Sequence, residues 1–196
     1  MENAKESRCR ITWHEAEVSI EEYLEKCVDV PTFLECCKNC GNYEKVWSCP
    51  PYDFHPEDYW AAYDTFRILG MKIFLPESLT AGTYEGEERD RLLQEVVYPY
   101  KKELDSKLLA MEKEVEGSIS LSGGSCLNCA SGTCTRPSGL PCRCPEKMRY
   151  SIESLGGNVG LTVRKYLHQE LLWMDEGKLP QYFILVGGLL MGKREK

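Results

Sequence analysis

Apolar and polar residues alternate from Arg10 to Val18, with Ile11 and Trp13 on one side of the chain, and this period of two predicts a strand. Ser19, followed three residues later by Glu22, has the form of a helix N-cap and predicts a short helix to about Cys27. Another short helix is expected after Pro56, carrying Tyr59, Trp60 and Tyr63. Ile68–Leu75 reads as a strand closed by Pro76, and the Gly- and Thr-containing stretch 78–86 as a loop. Leu93, Val97, Tyr100, Leu104, Leu108, Met111 and Val115 then recur in steps of three and four. That spacing marks one face of a long helix over 87–116, a stripe read as core. Pro99 lacks the amide hydrogen a helix interior needs, so a kink or restart is expected there. Ser118–Leu121 predicts a short strand running into Gly123-Gly124, followed by a helix at about 161–172 and a last strand, Tyr182–Val186.

Strands and helices are interspersed with no repeat of solenoid length. The pattern predicts an α+β or α/β fold, a single sheet covered by helices in one domain over 1–196. Two cysteine-rich loops, about 36–52 and 123–146, are expected to project from the same end of the sheet.

Charge and length exclude some functions. A net charge of −7 argues against a nucleic-acid surface, which needs excess Lys and Arg. The longest apolar run, Phe183–Met191, is about half of the roughly 20 residues that cross a bilayer. The polar opening, Met1 to Glu6, has no apolar run behind it to serve as a signal peptide, so a cytoplasmic, reducing setting is expected.

Cysteine changes the picture most. Eleven cysteines are too many for ordinary usage, their odd number fits disulfide pairing poorly, and most fall in two patches. Metal binding explains them better than a disulfide scaffold or scattered reactive thiols. The second patch runs Cys126-x2-Cys129-x4-Cys134-x7-Cys142-x-Cys144-Pro145. A Cys-x2-Cys pair puts two thiolates on one tight loop, and two more downstream complete the four that a cubane cluster or a tetrahedral zinc ion needs. Small residues at Ala130-Ser131-Gly132-Thr133 and a Cys-Pro step favour a 4Fe–4S iron–sulfur cluster; a second Cys-x2-Cys or a His pair, more usual for zinc, is missing.

The first patch, Cys36-Cys37-x2-Cys40-x8-Cys49-Pro50-Pro51, offers three well-spaced thiolates, Cys37, Cys40 and Cys49, with Cys36 a spare. Three leave one metal position open, for a small-molecule ligand or for His55, Cys27 or Cys144 to fill. Trp47, Tyr43 and Tyr52 form either an apolar shell around this patch or part of the core. Arg136, Arg143, Lys147 and Arg149 against Glu146 make the second patch locally basic, a surface for an acidic redox partner or a solvated face. Gly187-x4-Gly192-Lys193 mimics a phosphate-binding loop but lacks the following Ser or Thr and a helix; its glycines are expected to end the last strand. No nucleophile–histidine arrangement stands out among His14, His55 and His168.

The strings Cys37-Lys38-Asn39-Cys40-Gly41-Asn42-Tyr43 and Trp47-Ser48-Cys49-Pro50-Pro51-Tyr52 resemble a bacterial and archaeal family of predicted metal-binding proteins of unknown function. So do Gly124-Ser125-Cys126 through Pro141-Cys142-Arg143 and Arg149-Tyr150-Ser151-Ile152-Glu153. The resemblance covers about residues 30–190 and implies metal binding by Cys37, Cys40, Cys49, Cys126, Cys129, Cys134 and Cys142, without implying a reaction. The chain departs from the family pattern at Cys144, Tyr150 and Gly157-Asn158, which leaves Cys144 outside the implied set. Two functions follow as expectations. One is an iron–sulfur protein in redox chemistry, either an electron carrier or an enzyme with an open iron. The other is a non-redox zinc protein with a structural or partner-binding role.

Overall fold

The computed structural model describes residues 9–129 and 133–192. The opening Met1–Glu6, the small residues Ala130, Ser131 and Gly132, and the basic tail from Lys193 lie outside the described residues. Strand β1 (Arg10–Ser19) leads into helix α1 (Ile20–Cys27), where the Ser19 hydroxyl accepts the Glu22 amide at 3.2 Å, as its spacing predicted. Helices α2 (Val30–Lys38) and α3 (Pro56–Ala61) follow, then β2 (Thr65–Phe74) and the short α4 (Glu77–Thr80). The predicted long helix is two, α5 (Gly86–Val96) and α6 (Tyr98–Glu114), with the restart placing Pro99 in the first turn of α6, where its missing N–H costs nothing. Strand β3 (Ile119–Leu121), helix α7 (Val159–Tyr166) and β4 (Tyr182–Met191) complete the order.

The strands form one antiparallel sheet in the order β1-β2-β4-β3, an α+β arrangement. Alternation along β2 sorts the core into two layers. Phe66 and Ile68 face a cluster with Tyr23, Trp60 and Val163, drawn from α1, α3 and α7. Leu69, Met71 and Ile73 face the other way, onto Leu104 and Leu108 of α6, with Leu93, Tyr100 and Met111 packed alongside. The apolar stripe read as core is core from Leu93 to Met111 except at Val97, which, like Val115, belongs to neither cluster.

Beyond the split of the long helix, the stretch 78–86 read as a loop opens inside α4, which starts right after Pro76, and three further boundaries differ from the sequence reading. The first cysteine stretch is not all loop: α2 carries Cys36 and Cys37 in its last turn, because Asp29 caps its start (Thr32 amide to Oδ1, 3.1 Å) and Pro31 sits in its first turn. Gly187 does not end β4 but lies inside it. A Cβ there would stand 2.5 Å from the Leu121 carbonyl oxygen and 2.6 Å from Leu108, so glycine is what lets β3 and α6 close on the strand. Gly192, at φ +67°, is the residue that ends it. Helix α7 stops at Tyr166, two residues before His168 adopts φ +51°, a conformation no helix continues through. Among the described residues no helix is long and apolar enough to cross a membrane.

Candidate metal centre

The first thiol group is built by helical turns. Asn39 N–H donates to the Cys36 carbonyl (3.2 Å), Cys40 N–H to Cys37 (2.9 Å) and Tyr43 N–H to Cys40 (3.1 Å), so the chain keeps coiling past the end of α2. Cys37 and Cys40 are thus tied one turn apart by main-chain bonding, Cys37 half-buried and Cys40 exposed, as Cys36 is. Cys49 returns on the turn closed by its own N–H to the Val46 carbonyl at 3.0 Å. Burial pushes Cys49 up to about 11, reinforced by Cys40 and Cys37 and opposed by a Ser48 hydrogen bond and the Arg136 charge. Burial first, then Cys40 and the Glu153 carboxyl, also raise Cys37. A thiophilic cation would favour the charged form of thiols that burial holds neutral, as it does Cys37 and Cys49.

The second group is held without regular secondary structure. Cys126, Cys129, Cys134, Cys142 and Cys144 all line one cavity of about 790 Å³, with Trp47 of the first loop on its wall. Cys126 Sγ accepts an N–H of Asn128 at 3.3 Å, and burial raises its thiol against that bond and the positive charge of Lys101. Asn128 also fixes the loop by donating to the Lys147 carbonyl at 2.7 Å. The base of the loop is closed where Ser122 N–H meets the Tyr150 carbonyl (2.8 Å) and Ser122 bridges Ser151. Below it Arg149 makes a two-pronged ion pair with Glu112 of α6, its Nε 2.8 Å from Oε2.

The two loops meet along a seam. Trp47 N–H donates to Cys134 Sγ at 3.4 Å, and its indole N–H to Thr135 Oγ1 and the Leu140 carbonyl, both at 3.2 Å. Cys126 N–H donates to Ser48 Oγ at 3.0 Å. Arg136 reaches across to three carbonyls of the first loop, Val46 (2.9 Å), Pro51 (2.6 Å) and Cys49. Trp47 thus bridges the loops, and Tyr52 packs with the first-face core while its hydroxyl donates to Ser48 O at 2.7 Å.

Every sequence-predicted thiol lies at this end of the molecule, in two groups: Cys37, Cys40 and Cys49, and Cys126, Cys129, Cys134 and Cys142. Cys144, outside the set implied by resemblance, shares the cavity of the second group. Cys27 is buried in the first-face core, raised by burial beside Thr162 and Tyr166, and is a packing thiol. Cys9 packs on the second-face core. His55 precedes α3 and lines a pocket that Cys37 also touches. Among the described residues, no three Cys, His, Asp or Glu side chains stand close enough to hold a metal ion as the loops lie. The fit rests on donor chemistry: eleven free thiols, most of them gathered into two groups.

Paired thiol-rich loops on a helix-covered antiparallel sheet define a cysteine-rich protein of the metal-binding class. The chain belongs to the family described as "Predicted metal-binding protein (DUF2284)", whose model matches residues 25–191 and so takes in both loops. No curated protein and no solved structure matches the chain.

Proposed function

We propose that the chain is an iron–sulfur protein working in redox chemistry, with Cys126, Cys129, Cys134 and Cys142 holding one 4Fe–4S cluster and Cys37, Cys40 and Cys49 a second. The observation that carries this reading is the arrangement of five thiols around one cavity of about 790 Å³. A single tetrahedral ion needs four donors at most, whereas five thiols from one loop, with the first loop's Trp47 beside them, face this space. When bound, such clusters store and release single electrons. The chain's own groups set the conditions. The Trp47 amide donates to Cys134 Sγ, Asn128 donates to Cys126 Sγ, and Arg136 lays positive charge beside Cys49. Hydrogen bonds and positive charge at the sulfurs both favour the reduced state.

Three thiolates at the first loop leave one position for an exchangeable ligand, the basis for a catalytic centre; four at the second suit electron relay. Arg143 and Lys147, exposed on the second loop, offer an acidic redox partner its contact. Free thiols in this number belong in a reducing compartment, the cytoplasm.

The test is to purify the protein without oxygen and measure iron, sulfide and zinc together. Brown protein absorbing near about 400 nm, with sulfide matching iron, is the expected result. Colourless protein with stoichiometric zinc and no sulfide would sink the proposal in favour of a structural zinc role. Cys49→Ser should remove the first cluster's iron and leave the second's, and Cys134→Ser the reverse. An added thiol or cyanide should perturb only the first cluster's spectrum; equal resistance of both would mean the first has a fourth protein ligand.

A further inference from the structure

Beside the first cysteine group, α2 and the turn after Pro50 enclose a second pocket of about 720 Å³, within the range of small-molecule sites. Its wall is largely apolar, from Leu34, Pro50 and the rings of Tyr52 and Phe54, which stack with centroids 4.8 Å apart. Its charge is one-sided. Glu35, Asp53 and Glu57 stand exposed around it, Glu153 is set deeper, and no Lys or Arg is among the described residues that line it. The basic side chain present is His55.

Glu153 is the unusual member. Although part of the residue reaches the surface, its Oε2 is shut off from solvent and has no hydrogen-bond partner. Burial pushes its carboxyl up, against hydrogen bonds from its own amide and the Ser151 side chain and the weaker pull of Lys101, which is itself paired with Asp105 at 3.0 Å. A buried carboxyl oxygen without a donor is costly, and native folds hold few of them, often at sites with a function. Its position fits a fold that needs it there: the turn Glu153–Leu155 packs on α2, and Asp29 N–H donates to the Gly156 carbonyl at 2.8 Å. Gly156, at φ +81°, allows that approach, since a Cβ would lie 2.5 Å from Val30 Cγ2.

We propose that this pocket binds a small organic cation, an ammonium group on an apolar body, with Glu153 as its counter-ion and the Tyr52–Phe54 pair against its carbon surface. The outer carboxylates raise the local concentration of cations, aromatic faces attract an ammonium, and apolar walls disfavour a hydrated metal ion. Cys37 lines the same pocket, so the bound molecule lies next to the first thiol group. The proposal goes beyond the iron–sulfur reading without resting on it: none of the four carboxylates belongs to the ligand sets proposed above.

Calorimetric titration of the full-length protein, as purified, tests it with three probes of one shape: benzylamine, benzyl alcohol and benzoate. Benzylamine should bind saturably, benzyl alcohol at least about tenfold more weakly, and benzoate not at all. Glu153→Gln, which keeps the shape, should weaken benzylamine about tenfold or more and leave benzyl alcohol unchanged. No saturable benzylamine binding, equal affinity for the alcohol, or a folded Glu153→Gln protein that binds benzylamine as well as the parent would each overturn the assignment. So would magnesium or zinc alone giving the Glu153-dependent heat. Should Glu153→Gln fail to fold, the three probes on the parent protein decide. Iron and sulfide measured on the same sample keep the two proposals separable, because a colourless protein that binds benzylamine refutes the clusters and retains the pocket.

Discussion

The two thiol loops present the same donors in opposite ways. In the first, main-chain hydrogen bonds do the positioning: α2 and its continuing turns set Cys37 and Cys40 one turn apart. In the second, from Ser122 to Tyr150, a single short 3-10 turn at Arg136–Ser138 is the regular structure among the described residues, and side chains carry the order. The difference teaches where each is vulnerable. A helix turn survives the loss of any one side chain, whereas a loop held by Asn128, Arg136 and Arg149 depends on each of them.

The sharpest way to break that contrast is at Glu112. Its pair with Arg149 is mostly shielded, with side chains 17% and 13% exposed, so Glu112→Ala leaves an uncompensated arginine and should cost about 3–5 kcal/mol in chemical denaturation. Burial opposes its charge, but hydrogen bonds from Arg149 and Ser120 outweigh burial and hold the carboxyl below its ordinary value. The sign follows: its contribution is complete above the unfolded carboxylate value of about 4.3 and is lost as pH falls through the lower folded value. A melting series below about pH 5 should show a larger loss in the parent protein than in Glu112→Ala, the remainder coming from groups such as Asp29.

Arg136→Ala comes next. It removes three charge-assisted bonds to carbonyls, and since part of the side chain is solvated the cost should be about 2 kcal/mol. Hydrogen exchange should quicken in both loops at once; quickening in the second alone would mean that the first needs no help from its neighbour. Trp47→Phe keeps the ring but loses the indole N–H bonds to Thr135 and Leu140, for about 1 kcal/mol and a faster exchange at the seam. The smallest expected effect is on the scaffold itself. Stripping bound metal should leave the helical circular dichroism nearly unchanged, because the two core layers close without the loops. Collapse of that signal would show the sheet and the loops to be one cooperative unit.

Local chemistry was legible in the chain and distant packing was not. Ser19 with Glu22, the Leu104, Leu108 and Met111 part of the stripe, and the break near Pro99 all act within a few residues, and the structure keeps them. The start of α2 was equally local, in Asp29 and Pro31, but the cysteines that follow drew the reading toward a loop. Gly187 could not be read correctly, since the reason for it is Leu108 and Leu121, far away in sequence. The thiol sets were visible as spacing. The seam that joins them was not, because Arg136 finds its carbonyls some 90 residues upstream, and nothing in its own neighbourhood marks it. In the sequence Glu153 is only the last residue of the string Arg149–Glu153; that its Oε2 is buried without a partner emerges only from the folded chain.

The closure at Ser122 and Tyr150 makes the second loop a cassette. Both of its ends are pinned side by side, by a 2.8 Å backbone bond and the Ser122–Ser151 bridge, before any thiol is considered. The entropy of closing a loop grows only with the logarithm of its length, so each doubling costs only about 0.6 kcal/mol. Residues can therefore be added between Cys134 and Cys142 with little consequence for the sheet, and the same base can carry loops of different reach, provided Arg136 still meets the seam. A scaffold of this kind separates the evolution of what is bound from the evolution of what folds.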